Sequence, residues 1–336
     1  MLFRSKVDGS VKFAMDVQLP NMLYATVVRY PVPGGSVVEL DDSAARSVEG
    51  VVDVIVIPAT TVSSMLGDTV SAETVAVVAD SYWSASKGLK ELKVQWSEVG
   101  FETVSSDGIF EQFNRDISAS AERQTDHVQG EASSVFAGAA KVVDADYHVP
   151  FLAHTCMEPL NATADVRADS AEIWVGCQNP LGFRRDIADS LGMDPEKVTL
   201  HNHSMGGGFG RKARPDWALQ VAHLAREVGR PVQLIWSREE DVRQDFYRPA
   251  VQSRFRAAFD AQDNLLAWEN TYTNKNEPIE APWIPYAIPA QDIGYVSSPV
   301  HIPFGAWRSV DHSQHGFFTE SFIDEVANAA GKDSFE

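Results

Sequence analysis

The sequence is short of cysteine, of basic residues and of long apolar runs, and each shortage excludes a class of protein. Only Cys156 and Cys177 occur in 336 residues, too few for a disulfide scaffold or a cysteine-rich zinc or iron–sulfur module. Lys and Arg number 28 against 47 Asp and Glu, and the net charge of −19 argues against a nucleic-acid-binding protein. No apolar run reaches the roughly 18 residues of a membrane span, and the opening residues lack the apolar stretch of a signal peptide.

The rest of the composition is that of a globular protein. Hydrophobic residues make up 44% of the chain, enough to form a core in each of two or three domains. β-branched runs of strand length alternate with amphipathic helical segments, which predicts a mixed α/β fold. The predicted strands are 23–29, 51–57, 75–78, 94–96, 141–151, 162–166, 172–177, 198–203, 232–236, 252–259 and 265–273, and the predicted helices are 82–92, 183–191, 217–228 and 312–329.

Changes in composition divide the chain into two units. Residues 1–97 form a compact α/β unit, and 131–336 form a second one. Between them, 98–130 is polar and is predicted to be a linker that wraps over a neighbour, with one short helix near Phe113. The proline-rich segment 278–303 has few regular signals. The abrupt start and end indicate a piece of a longer polypeptide.

A glycine-rich segment lies between a predicted strand and a predicted helix. Met205–Lys212 reads MGGGFGRK, and its glycines permit positive φ angles and close approach of a ligand. The helix N-terminus, Arg211 and Lys212 would favour an anion. A tight turn is the alternative, but it needs fewer glycines. The segment lacks the Gly-Lys-Ser/Thr of a phosphate-binding P-loop, and Arg211 occupies the last glycine position of a dinucleotide fingerprint.

Other candidate residues are weak when taken singly. His154, Cys156 and Glu158 alternate as on a strand, but no second cluster completes a metal site, so a buried polar row is favoured. His201 and His203 are discounted for the same reason. Gln178 follows a strand and is placed to donate into a cleft, unless it is an ordinary turn residue. Arg308 is suited to bind an oxo or phosphate group, unless it forms a surface ion pair. Segment 236–241 is expected to be a solvated turn and helix start.

Several segments, taken in order, resemble one enzyme family. They are HTCMEPLNATADV, WVGCQNPLGFR, GGGFGRK, LIWSREEDVRQDFYRP and GAWRSVDHSQHGFFTESFIDE. Together they are similar to the large, molybdenum-binding subunit of the xanthine dehydrogenase and aldehyde oxidase family. Within it they resemble the branch of the isoquinoline 1-oxidoreductase beta subunit and related bacterial aldehyde dehydrogenases. The resemblance implies an α/β hammerhead domain over 1–97, the linker 98–130, and the first part of a molybdopterin-binding domain over 131–336.

The resemblance also implies a reaction and its cofactors. The family hydroxylates an sp2 carbon of an aldehyde or N-heterocycle with oxygen from water. Its cofactor is molybdenum–molybdopterin, here expected in the cytosine dinucleotide form, and the pterin rather than the protein holds the metal. Electrons pass to a small partner subunit with 2Fe–2S clusters. The small substrate is an aromatic compound or an aldehyde, and neither a nucleic acid nor a membrane span is implied.

Site residues carry over position by position. Gln178 matches the glutamine that hydrogen-bonds a molybdenum oxo ligand, and Phe209 and Gly210 match a Phe-Gly pair beside the metal. Gly207 and Gly208 would let that backbone approach the cofactor, and Arg308 matches an arginine near it. Glu158 also has a family counterpart.

The sequence departs from the family pattern at two positions. Ala213 stands where purine-oxidising relatives have a substrate-gripping glutamate, and Asp311 stands where glycine is expected.

The family's general base, a late glutamate, would lie in a C-terminal part that this sequence does not include. We therefore expect no catalytic residue in this chain and no turnover by it alone. The remainder would be the C-terminal half of the same subunit or a separate chain. A non-catalytic binding or assembly module of the same fold is the alternative, and a dinucleotide enzyme is a weaker one. The sequence does not decide between a cytoplasmic and a periplasmic, bacterial location.

Overall fold

The computed structural model describes residues 3–62, 69–119, 122–276 and 280–335. Within them the chain forms two compact units that are not consecutive in sequence. The first contains the residues up to Glu102, Ala153–Tyr247 and Ile302–Ala306. The second contains Thr103–Leu152, Arg248–His301 and the residues from Trp307 on. No helix in the described ranges is long and apolar enough to cross a membrane.

The first part of the chain supplies the following helices and strands of the first unit. They are α1 (Phe3–Val7), β1 (Leu23–Val28), β2 (Val37–Asp41), α2 (Ser43–Arg46), β3 (Val51–Ile57), β4 (Thr60–Val62), β5 (Thr69–Ser71), β6 (Thr74–Ala79), α3 (Tyr82–Lys90) and β7 (Lys93–Trp96). The second unit then contributes α4 (Ser106–Ala119), β8 (Gln124–Gln129), α5 (Ala132–Gly138) and β9 (Lys141–Val149).

The chain then returns to the first unit before it completes the second. The first unit adds β10 (Asn161–Val166), β11 (Ala171–Val175), α6 (Pro180–Leu191), β12 (Val198–Asn202), α7 (Asp216–Val228), β13 (Val232–Ile235) and α8 (Arg238–Arg243). The second unit adds β14 (Val251–Phe259), β15 (Leu265–Thr273), β16 (Ala290–Val296) and α9 (His312–Ala329).

A mixed sheet forms the framework of the first unit. Its strand order is β12-β11-β10-β13-β1-β6-β3, with β1–β13 and β11–β12 parallel and the other pairs antiparallel. Helix α7 covers it and is almost wholly buried, because Trp217 on its first turn packs into the core and donates to the Asn161 carbonyl at 3.0 Å. Trp236, after β13, donates to Gln220 on the same helix at 3.0 Å.

This sheet crosses the predicted domain boundary at residue 97. Strand β1 comes from the predicted hammerhead domain and β13 from the predicted cofactor domain, yet Leu23 pairs with Val232 in the same sheet. The predicted linker 98–130 contains the 14-residue helix α4 and strand β8. The boundary between the two compact units therefore does not fall at residue 97. The domain boundaries implied by the family resemblance stay a prediction.

The second unit has its own sheet and core. Its strand order is β8-β16-β15-β14-β9, with β15 and β16 parallel and the other pairs antiparallel. Phe322 on α9 packs against Phe255 and Trp268, with ring centroids 5.1 and 4.9 Å apart. Sequence analysis found few regular signals in 278–303 and missed β16, which runs there.

Candidate functional site

The glycine-rich loop follows β12 in the first unit and has an unusual backbone. Gly207 and Gly210 have φ angles of 107° and 114°, and between them Phe209 has a φ of 53°. A positive φ strains any residue with a Cβ. The Phe209 ring is nonetheless 43% exposed, so burial of the ring does not offset the strain. The loop therefore holds an aromatic side chain at the surface in a costly conformation.

Protein side chains occupy the space that the loop glycines leave. A Cβ on Gly206 would lie 2.5 Å from Cβ of Glu158, and one on Gly208 would lie 2.7 Å from Oε1 of Gln178. Sequence analysis predicted that these glycines admit a ligand. In the structure the space beside Gly206 is filled by Glu158, and the space beside Gly208 is filled by Gln178. The approach of a cofactor to Gly207 and Gly208 stays a prediction.

Gln178 is exposed after β11 and its side-chain amide has a fixed orientation. The Gly210 N–H donates to Oε1 at 3.0 Å, so the oxygen faces the loop. Its own backbone N–H donates to the Lys212 carbonyl at 2.8 Å. The Nε2 group donates to no atom in the described residues. The amide therefore presents two free N–H bonds to solvent beside the loop.

Three consecutive backbone N–H groups of the loop are also free. Those of Gly207, Gly208 and Phe209 form no hydrogen bond with the described part of the chain. Successive N–H groups of a loop with positive φ angles form a concave donor array that suits oxygen ligands. With Gln178, the loop offers donors and no acidic side chain at its centre.

The prediction that Arg211 and Lys212 attract an anion is wrong. Arg211 is only 2% exposed and Lys212 only 1%, because both side chains form ion pairs with buried acidic residues. Arg211 donates to both carboxylate oxygens of Asp216 at 2.8 Å, and its Nε lies 3.0 Å from Asp245. Burial lowers the pKa of Arg211, but Asp216 and Asp245 outweigh it and raise the value. Helix α7 begins only at Asp216, so its N-terminus does not follow the loop directly.

The Asp245 carboxylate links Arg211 to His154. It accepts the His154 backbone N–H at 2.6 Å and lies 3.0 Å from Nδ1 of the ring. Nε2 lies 2.9 Å from the Ala306 carbonyl. Burial acts to raise the pKa of Asp245, but the hydrogen bonds from His154 and the charge of Arg211 hold it below its usual range.

The alternating residues predicted near the loop are buried but do not lie on a strand. His154, Cys156 and Glu158 are at most 9% exposed, as a buried polar row requires. They lie in an irregular segment in which Thr155 has a φ of 47°. His201, on β12, is partly exposed and bonds Glu172 at 3.1 Å. No His, Cys, Asp or Glu cluster in the described ranges could hold a metal ion.

Arg308 belongs to the second unit, separate from the unit that holds the loop. It is exposed, and its side chain forms no ion pair in the described residues. Ser309 and Val310 follow with φ angles of 71° and 55°, and Asp311 is 5% exposed. The glycine that the family pattern places at 311 is absent, and the two residues before it adopt the left-handed backbone that glycine favours.

The segment 236–241 was expected to be solvated, but two of its acidic side chains are buried. Glu240 and Asp241 on α8 are 3% and 5% exposed. Glu240 accepts the Arg29 backbone N–H at 3.0 Å, and Asp241 pairs with Arg238. The charged sequence looked like a surface helix because Arg29, the partner of Glu240, is remote in sequence.

Comparisons with known proteins agree with this fold. Residues 117–336 match the molybdopterin cofactor-binding domain. The chain is 30% identical to isoquinoline 1-oxidoreductase subunit beta of Brevundimonas diminuta, over 98% of this chain and 44% of that protein. It is 26% identical to the aldehyde oxidoreductase molybdenum-binding subunit PaoC of Escherichia coli O157:H7, over 98% and 48%. The structure of quinoline 2-oxidoreductase from Pseudomonas putida 86 aligns with a TM-score of 0.77 at 22% identity, over 99% and 48%.

The fold is that of the large subunit of the molybdenum hydroxylases. The chain belongs to the molybdopterin cofactor-binding domain family and is related to the molybdopterin-dependent oxidoreductases of the xanthine dehydrogenase family. It spans about half the length, or less, of these relatives.

We expect Asp216→Asn to destabilise the first unit strongly. The variant removes the charge that Arg211 contacts through two hydrogen bonds in a buried site, at a cost on the order of 3–5 kcal/mol. Urea unfolding measures it. Asp165→Asn, which removes the surface partner of Arg167, is the control and should change little. Equal effects of the two variants would contradict the importance of this ion pair.

We also expect a pH-dependent stability from Asp241. Burial raises the pKa of its carboxyl to about 6, against the charges of Arg211 and Arg238. Its folded-state pKa is above the unfolded one, so its stabilisation is full below about pH 4 and is lost through about pH 6. Relative to Asp241→Asn, the free energy of unfolding of the wild type should fall by on the order of 2–3 kcal/mol over this window. Asp107→Asn, at an exposed carboxyl, is the control, and a flat difference for Asp241→Asn would contradict the assignment.

Proposed function

We propose that this chain forms the first part of the molybdenum-binding subunit of a hydroxylase. The enzyme would oxidise an aldehyde or an N-heterocycle at an sp2 carbon with water as the oxygen source. The observation that carries the proposal is the oriented amide of Gln178, whose Oε1 is held by Gly210 while its Nε2 remains a free donor. An anion-binding turn would not need that side chain.

The donors at the loop fit the proposed cofactor. Molybdenum–molybdopterin would supply two-electron oxidation chemistry at this place, and its oxygen ligands and pterin need hydrogen-bond donors. Gln178 Nε2 and the N–H groups of Gly207, Gly208 and Phe209 are such donors. The Phe209 ring would cover the site and exclude water from it. The family resemblance assigns Arg308 to the cofactor's surroundings, where it would supply a planar cationic donor.

The substrate class rests on one position at the end of the loop. Ala213 is partly buried, and its side chain brings neither a charge nor a hydrogen-bonding group, where purine-oxidising relatives have a glutamate. A purine would therefore lack its acidic partner in this chain. The names of the relatives, an isoquinoline and an aldehyde oxidoreductase, support an aldehyde or a small N-heterocycle.

The partners follow from the same proposal. Electrons would leave through the pterin, in its cytosine dinucleotide form, to a small subunit with 2Fe–2S clusters. The glutamate that removes a proton during hydroxylation would lie in the part of the relatives that this chain does not match. The 336 residues alone would then bind no complete cofactor and turn over no substrate.

The first prediction concerns the full-length protein, purified with its co-purifying chains from a host that assembles molybdenum cofactors. We expect close to one molybdenum and one pterin dinucleotide per copy of this chain, measured by plasma mass spectrometry and pterin fluorescence. A metal-free and pterin-free protein, from a host in which a related hydroxylase loads fully, would contradict the proposal and favour the non-catalytic module.

The second prediction concerns the amide of Gln178. Gln178→Glu keeps an oxygen for the Gly210 N–H and the size of the side chain but removes the Nε2 donor. We expect kcat/KM to fall on the order of 10²-fold, the cost of removing one donor that is aligned with developing charge. Gln262→Glu, at an exposed turn glutamine, is the matched control. Full activity of Gln178→Glu at normal molybdenum content would overturn the role of this amide.

A further inference from the structure

One buried carboxylate contacts both ends of the glycine-rich loop. Oε2 of Glu158 accepts the Gly206 N–H at 2.8 Å and also lies 2.8 Å from Nζ of Lys212. Oε1 accepts from the Asn161 amide at 3.1 Å. Gly206 opens the loop and Lys212 follows it, so a single side chain fixes the distance between the two ends.

The backbone reinforces this contact at the start of the loop. The Glu158 N–H donates to the Gly206 carbonyl at 3.0 Å, which pairs the two residues in both directions. A Cβ on Gly206 would lie 2.5 Å from Cβ of Glu158, so only glycine permits the approach. The loop start is therefore held against the segment before β10 with no room for a shift.

Lys212 extends the same connection to Gln178. Its carbonyl accepts the Gln178 backbone N–H at 2.8 Å, and the Gln178 side chain in turn accepts the Gly210 N–H at 3.0 Å. The chain of contacts runs from Glu158 through Lys212 to Gln178 and back into the loop. The central N–H groups, of 207–209, have no protein partner in the described residues.

The charges of the pair suit a permanent contact. Glu158 and Lys212 have side chains only 8% and 2% exposed. Burial acts to raise the pKa of Glu158, but the hydrogen bonds from Lys212 and Gly206 outweigh it and hold the value below its usual range. In the described ranges neither side chain forms a second salt bridge, so removal of one leaves the other buried without its ion-pair partner.

We infer that Glu158 and Lys212 are a positioning pair that sets where Gln178 and the free N–H groups of the loop stand relative to the cofactor. The pair touches no reacting group and acts through the loop. Its effect on the cofactor rests on the proposed function, whereas its effect on the loop does not. A side chain that only stabilises the fold would lower stability without a selective change at Gly210 and Gln178.

The test compares backbone amide exchange in the full-length protein and three variants. Glu158→Gln keeps an acceptor for Gly206 but loses the ion pair, and Lys212→Met removes the other partner. The double variant removes both charges. Glu240→Gln is the control, because Glu240 is also buried and its ion pair with Arg29 includes no residue of the loop. Hydrogen–deuterium exchange is followed at the N–H groups of Gly210 and Gln178, which do not touch Glu158.

We expect about tenfold faster exchange at these two reporters in both single variants, since the loop would then open without unfolding of the whole unit. Glu240→Gln should leave the reporters unchanged after correction for its loss of global stability. The double variant should recover global stability, because no lone buried charge remains, but should keep the fast exchange. The inference would be overturned if the double variant recovered both global stability and slow exchange at the reporters. Unchanged exchange in the single variants would also overturn it. If one single variant does not fold, the other and the double variant decide.

Molybdenum content separates this inference from the proposed function. Faster exchange with a matching loss of bound molybdenum supports both. Faster exchange with full molybdenum content, or with no metal in the wild type, leaves the positioning of the loop intact and contradicts the role of the loop as the cofactor site.

Discussion

The loop depends on two buried cations, Arg211 and Lys212, directly behind its last glycine. Burying a charge costs several kcal/mol unless a partner and good geometry compensate it. Arg211 obtains this from Asp216 and Asp245, and Lys212 obtains it from Glu158. These acids come from the start of α7, from the segment after α8 and from the segment before β10, so distant parts of the first unit meet at two adjacent residues.

This arrangement explains how the loop can be strained and exposed at its centre. The energy that holds Phe209 in a left-handed conformation comes from the residues on either side of the loop centre, where the charges are paired and buried. The central N–H groups have no protein partner in the described residues, and under the proposed function they are the donors that face the cofactor. Stability is thus concentrated in the flanks of the loop.

The sequence predicted the regular elements well and the buried charges badly. The strand over 51–57 and the helix over 312–329 have the predicted bounds, because their apolar periodicity is a local property. Strand β16 was missed because its neighbours β15 and β8 decide its pairing, and its own residues show no clear alternation. Arg211 and Lys212 looked like surface cations because their partners are remote in sequence or, as with Asp216, fall in what resembled an ordinary helix start.

The candidate site divides in the same way. Gln178, Phe209 and Gly210 were found through the family resemblance, and the structure adds the hydrogen bond from the Gly210 N–H to Oε1 of Gln178. The role of Glu158 could not be assigned from sequence, because the contact between one carboxylate and both ends of a loop exists only in three dimensions. The signal that was available, a glutamate three residues before strand β10, is common to many turns.

The parallel pairing of β1 with β13 has a consequence for biosynthesis. Strand β1 occupies Leu23–Val28, but its partner in the centre of the sheet ends at Ile235. As the chain leaves the ribosome, β1 can pair with β6 early, and its other edge stays open until β13 has emerged. An unpaired strand edge invites association with other chains. The second unit's first two helices and first two strands emerge during that interval, so the nascent chain carries an incomplete sheet until Ile235 has emerged.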